Sequence, residues 1–74
     1  MSIKVIKEPQ LFCEDSVGNF VGIFKEGDCI KIKLKDGEKY EGTIDIIFSD
    51  FIELDTEKGF FVTKLEDIDE IKEW

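Results

Sequence analysis

The chain has 74 residues, 42% of them hydrophobic, with 18 acidic residues, 10 basic residues and no His. That length gives one domain near the lower limit for a self-sufficient core, and that composition excludes global disorder. The net charge of −8, with every basic residue a Lys, argues against nucleic acid, whose phosphates call for positive potential and whose bases favour the bidentate guanidinium of Arg.

The charge is unevenly placed. Residues 1–40 carry seven Lys and seven acidic residues, whereas residues 41–74 carry eleven acidic residues and three Lys, so the whole net charge lies in the second half. No apolar run approaches the roughly 18 residues of a membrane-spanning helix. The first ten residues, MSIKVIKEPQ, contain no apolar core of an export signal, which points to a cytoplasmic protein. Cys13 and Cys29 then read as reduced, structural thiols; their spacing fits no zinc site, and there is no His to complete one.

In chain order, residues 3–6 (IKVI) are a short apolar start that Pro9 interrupts. Residues 1–14 are read as an N-terminal segment and 15–74 as a single domain. Ser16 is placed to cap a helix, with Asp15 favourable at its positive end. Val17, Phe20, Val21 and Phe24 follow at i, i+3, i+4 and i+7, the spacing of one helical face. Gly18 and Gly22 each cost a helix interior about 1 kcal/mol relative to Ala, so a strand through Asn19 to Phe24 is the competing reading. Gly27 ends the element.

From Asp28 the period becomes two. Ile30, Ile32 and Leu34 share one face, with Cys29, Lys31, Lys33 and Lys35 on the other. After Asp36-Gly37 the alternation resumes with Tyr40, Gly42, Ile44, Ile46 and Phe48. A two-residue Asp-Gly loop would set the two apolar rows on opposite faces. A three-residue loop, Lys35-Asp36-Gly37, pairs Leu34 with Glu38, Ile32 with Tyr40 and Ile30 with Gly42, and the rows coincide. Gly42 in mid-strand permits a sharp bend. A third strand is expected over Phe51–Asp55, a turn at Glu57-Lys58-Gly59, a fourth strand over Phe60–Thr63, a connector at Leu65-Glu66-Asp67 and a fifth strand over Ile68–Glu73. Five short strands with close turns suggest a small barrel.

The stretch GDCIKIKLKDGEKYEGTI (residues 27–44), with FFVTKLEDIDEI (residues 60–71), resembles the Sm-like family of small SH3-like barrels. Gly37 and Gly42 stand where that family has its first turn and its bent second strand. The resemblance covers roughly residues 15–73. It implies an N-terminal helix followed by a strongly bent five-stranded barrel, ring assembly in which the fourth strand of one subunit pairs with the fifth of the next, and RNA bound on the inner face of the ring. The residues that carry RNA binding in the family are not matched. Asp50 or Ser49 stands at the Asp position, Glu53 falls on or beside the Asn position, and Thr63-Lys64-Leu65 has neither Gly nor Arg, which leaves Lys64 as the remaining contact. A carboxylate in place of an amide repels phosphate and cannot donate to a base.

The candidate features follow. Lys31, Lys33 and Lys35 form a stripe on the outward face of the first hairpin, read as a solvated face that blunts edge pairing, with an anion or RNA patch as the alternative. Asp45, Asp50, Glu53, Asp55 and Glu57 lack the ligand spacing of a calcium loop, so no metal and no cofactor are expected. Adjacent Phe60 and Phe61 face opposite sides of a strand, so one goes to the core and the other needs a cover. With the fourth-to-fifth strand pairing that the resemblance implies, Phe60, Phe61, Ile68 and Ile71 are the interface candidates. With no His, and no base beside either Cys, no catalysis is expected. The sequence thus predicts a non-catalytic module acting by protein–protein contact as a homo-oligomer. An RNA-binding protein with an atypical Lys site, or a small acidic mimic of nucleic acid that blocks a basic partner, is the alternative.

Overall fold

A computed structural model describes residues 2–6 and 9–74. Among the described residues eight strands form in chain order: β1 (Ser2–Ile6), β2 (Gln10–Glu14), β3 (Phe20–Lys25), β4 (Cys29–Leu34), β5 (Lys39–Ile47), β6 (Phe51–Thr56), β7 (Gly59–Lys64) and β8 (Ile68–Glu73). They make two antiparallel sheets, β1-β2-β3 and β7-β6-β5-β4-β8. A single 3-10 turn, Leu65–Asp67, joins β7 to β8.

The expected N-terminal helix does not exist. The fold is two antiparallel sheets, with no helix of seven or more residues among the described residues, and not a helix followed by a five-stranded barrel. The cause lies at Asp15. Its Oδ1 accepts the backbone N–H of Val17 at 3.0 Å and of Asn19 at 2.9 Å, while the Asp15 N–H donates to the Asn19 carbonyl at 2.9 Å. The carboxylate expected to favour the positive end of a helix instead closes a tight turn, a competition open to any short acidic side chain. Past the turn, Phe20, Val21, Ile23 and Phe24 have high strand propensity. Val17, Phe20 and Val21, three of the four residues of the expected helical face, are exposed.

The β4–β5 hairpin has the register that the parity of its apolar rows predicts. Ile30 faces Gly42, Ile32 faces Tyr40 and Lys33 faces Lys39. Leu34 N–H donates to the Glu38 carbonyl at 2.8 Å, and Gly37 N–H to the Leu34 carbonyl at 2.9 Å. Gly37 has φ +93°, the left-handed conformation that closes this loop without a Cβ clash.

Elsewhere bulges set which residues face inward. Between Ile44 and Ile46 the register of β5 against β6 shifts, and Asp45 is the extra residue. Ile44 and Ile47, three apart, are therefore both buried. A second shift lies between Lys33 and Leu34 against β8, and it turns both Ile68 and Ile71 inward. Leu11, Cys13 and Phe24 from the small sheet close over Ile30, Ile32, Ile44, Ile47, Ile52, Leu54, Ile68 and Ile71 of the large one, a single core. Burial pushes the Cys13 thiol up to about 12. The corner between the sheets is fixed by main-chain bonds, Gly27 N–H to the Ile44 carbonyl at 2.8 Å and Ile44 N–H to the Asp28 carbonyl at 2.9 Å. A carboxylate bond, Ile47 N–H to Glu26 Oε2 at 3.0 Å, adds to them.

Gly42 is where β5 folds across β6. A Cβ there would collide with the Asp55 carbonyl oxygen and lie 3.1 Å from its carbon and 3.3 Å from the Thr56 Cα. These are backbone atoms, which cannot move aside as a flexible side chain does. Gly42→Ala is expected to destabilise the fold by about 1–3 kcal/mol, the usual range for overpacking. A urea melt that leaves the midpoint unchanged contradicts this close approach.

Candidate functional site

The large sheet turns an apolar face outward at β5–β6–β7. Cross-strand rows there run Ile46–Glu53–Val62 and Thr43–Asp55–Phe60, with Phe51 opposite Lys64. Phe60 is 68% exposed and Val62 53%, and Ile46 and Phe48 are also exposed. Phe48 stacks on Phe51 across the hairpin turn, ring centroids 4.2 Å apart. β7 is an edge strand, bonded only to β6. Edge strands with exposed apolar side chains are templates for pairing and docking.

Of the interface candidates read from the sequence, Phe60 is on this outer face. Phe61 faces inward, packs against the core and stacks on Tyr40 at 3.8 Å with the planes 13° apart. Ile68 and Ile71 are buried in the core. Val62, which joins Phe60, was not singled out from the sequence, whereas Ile46 and Phe48, read in one apolar row with Tyr40, Gly42 and Ile44, are exposed. Period two from Phe60 identifies Val62, but the bulge at Asp45 hides Ile46.

Carboxylates lie among these apolar residues. Partial burial pushes the Glu53 carboxyl above its ordinary value, and a hydrogen bond to Asp45 and the Asp45 charge add to it. Both residues are brought together by the bulge, which sets Asp45 and Ile46 against Glu53. Among the described residues no group of three or more His, Cys, Asp or Glu side chains is placed to hold a metal ion.

The lysine stripe lies on the other half of the large sheet. A groove of about 670 Å³ is lined by Lys31, Lys33, Lys39 and Lys72 together with Glu41 and Glu70. Lys31 stands between Glu41 and Lys72, and Lys33 between Lys39 and Glu70. Lys31 Nζ is 4.0 Å from Glu41 Oε2 and Lys33 Nζ 3.9 Å from Asp69 Oδ2, both solvent-accessible pairs of low energy. Lys35 is exposed in the hairpin loop. Lys64 lies on β7, at the opposite edge of the sheet from β8, and does not join the groove.

The small sheet carries a second apolar face that sequence reasoning missed. Inward residues are Ile3 and Val5 of β1, Leu11 and Cys13 of β2 and Phe24 of β3. The outward rows are Lys4–Phe12–Ile23, Ile6–Gln10–Lys25 and Glu14–Phe20. Phe20 is 61% exposed and Ile23 49%, and the Phe12 and Phe20 rings lie 5.5 Å apart at 44°. A register shift opposite Cys13 and Glu14 leaves Val21 unpaired, so β3 shows no clean alternation in the sequence. The period-two pattern of QLFCE was the available signal.

The Asp45–Glu53 pair gives a pH dependence of defined sign. The folded chain holds the Glu53 proton more tightly than the unfolded chain, so stability is lost as pH rises through the raised value, and none is lost below the unfolded one. Carbon-13 NMR of the Glu53 carboxyl is expected to titrate above the ordinary 4.5. In Asp45→Asn the midpoint is expected to move down toward it; a midpoint that does not respond contradicts the coupling.

Comparison of the chain with family models, with curated proteins and with solved structures returns no match.

Proposed function

We propose that this chain is a non-catalytic cytoplasmic interaction module that acts through protein–protein contact and self-associates. The observation that carries the reading is the outer face of β7. Phe60 and Val62 project into solvent from a strand with one neighbour, beside Ile46 and Phe48. Isolated exposed apolar residues are common on proteins, but a contiguous set on an edge strand is the usual mark of a contact surface. A chain of this length also has little core, and association is a common source of added stability for such domains. The resemblance of residues 27–44 and 60–71 to Sm-like chains supports the fourth strand of the large sheet, β7, as a contact strand.

The lysine groove is the weaker surface. Its four Lys are interleaved with Glu41 and Glu70, Asp69 lies against Lys33, and the chain as a whole repels polyanions beyond the short range over which salt leaves a local patch effective.

Native mass spectrometry on untagged protein tests the reading. A discrete oligomer is expected. Phe60→Thr combined with Val62→Thr, which keeps strand propensity, is expected to give folded monomer. A wild-type chain that stays monomeric across the micromolar range contradicts self-association.

A further inference from the structure

We infer that, in this self-association, the outer face of β1–β2–β3 in one copy docks on the outer face of β5–β6–β7 in the next. The inference rests on the self-association reading and adds which surface receives β7. It starts from the presence of two exposed apolar faces on one small chain. Phe12, Phe20 and Ile23 lie on one, and Ile46, Phe60 and Val62 on the other. Each is the outer surface of an antiparallel sheet, and two such faces pack with aligned strands and interdigitated side chains.

Charge selects the pairing. On the small sheet the apolar centre is flanked by Lys4 and Lys25, at the ends of the rows Lys4–Phe12–Ile23 and Ile6–Gln10–Lys25. On the large sheet Glu53 and Asp55 occupy the middle strand, with Asp45 beside Glu53. Docking unlike faces brings Lys to carboxylate. Docking two β5–β6–β7 faces on each other brings two sets of carboxylates together, and docking two small sheets brings Lys to Lys. Like charges brought together at an interface oppose association, and opposite charges fix its register. Glu14 on the small face and Lys64 on the large face also form a complementary pair. Such a contact joins different surfaces of identical chains, so it is heterologous and propagates head to tail, into a ring if the rotation between copies closes and a filament if it does not.

The test is complementation between two full-length variants. Phe20→Thr with Ile23→Thr removes the small-sheet face, and Phe60→Thr with Val62→Thr removes the large-sheet face. All four positions are exposed and Thr retains strand propensity, so both chains are expected to keep the far-ultraviolet spectrum of the wild type. Each variant alone is expected to be monomeric. Mixed in equal amounts, they are expected to form one 1:1 heterodimer at least ten-fold tighter than either variant with itself, because each supplies the face that the other lacks. If either pair fails to fold, the charge reversals Lys25→Glu and Asp55→Lys serve instead: each is expected to weaken assembly, and equimolar mixing or their combination in one chain to restore it. The inference is overturned if the small-sheet variant assembles like the wild type, as it would with the β8 edge as receiver, or if the mixture stays monomeric. A monomeric wild type overturns the self-association reading itself, a result distinct from either.

Discussion

Neither sheet of this protein can bury its apolar face alone, and that constraint shapes everything else. A three-stranded meander and a five-stranded sheet close on one another through Leu11, Cys13 and Phe24 on one side and the Ile-rich inner rows of β4, β5, β6 and β8 on the other. At about 25 cal/mol per Å² of apolar surface removed from water, that burial is the main term opposing the entropy of ordering the chain. The corner at Gly27 and Asp28, hydrogen-bonded to Ile44, holds the two sheets in this relation. Once every inward row is committed to the core, the residues of opposite parity must face water, and on β3 and β7 those residues are Phe, Ile and Val.

The hairpin of β4 and β5 was legible in the sequence because nothing interrupts its parity: Ile30, Ile32 and Leu34 alternate, Gly37 fixes the loop, and one register superposes the apolar rows. The strands of the second half were legible from the turns that bound them, Glu57-Lys58-Gly59 and Leu65-Glu66-Asp67. Their facing was not. Ile68 and Ile71 are three apart, a spacing that sends strand residues to opposite faces, and only the register shift against Leu34 turns both inward. Ile44 and Ile47 behave likewise around Asp45. A bulge is set by pairing between distant strands, so no local pattern announces it.

The N-terminal third misled for a different reason. Asp15 and Ser16 before Val17, Phe20, Val21 and Phe24 satisfy both a helix start and an acidic turn followed by a bulged strand. Local sequence does not separate these. The tertiary demand does, because the apolar inner rows of the large sheet need a cover, and Leu11, Cys13 and Phe24 of the small sheet supply it. The candidate site was half legible: Phe60 and Phe61 had to point apart, but which one faced inward followed from Leu54 standing opposite Phe61. The face containing Phe12, Phe20 and Ile23 was not legible while that segment was read as a helix.

The central claim is that β7 is covered when copies meet. Hydrogen–deuterium exchange measured at several protein concentrations tests it directly, since protection that depends on concentration reports association and not folding. The account predicts that exchange over Phe60–Lys64 slows as concentration rises, while exchange in the β4–β5 hairpin loop around Lys35–Gly37 does not change. Exchange over Phe60–Lys64 that is the same at every concentration would contradict it.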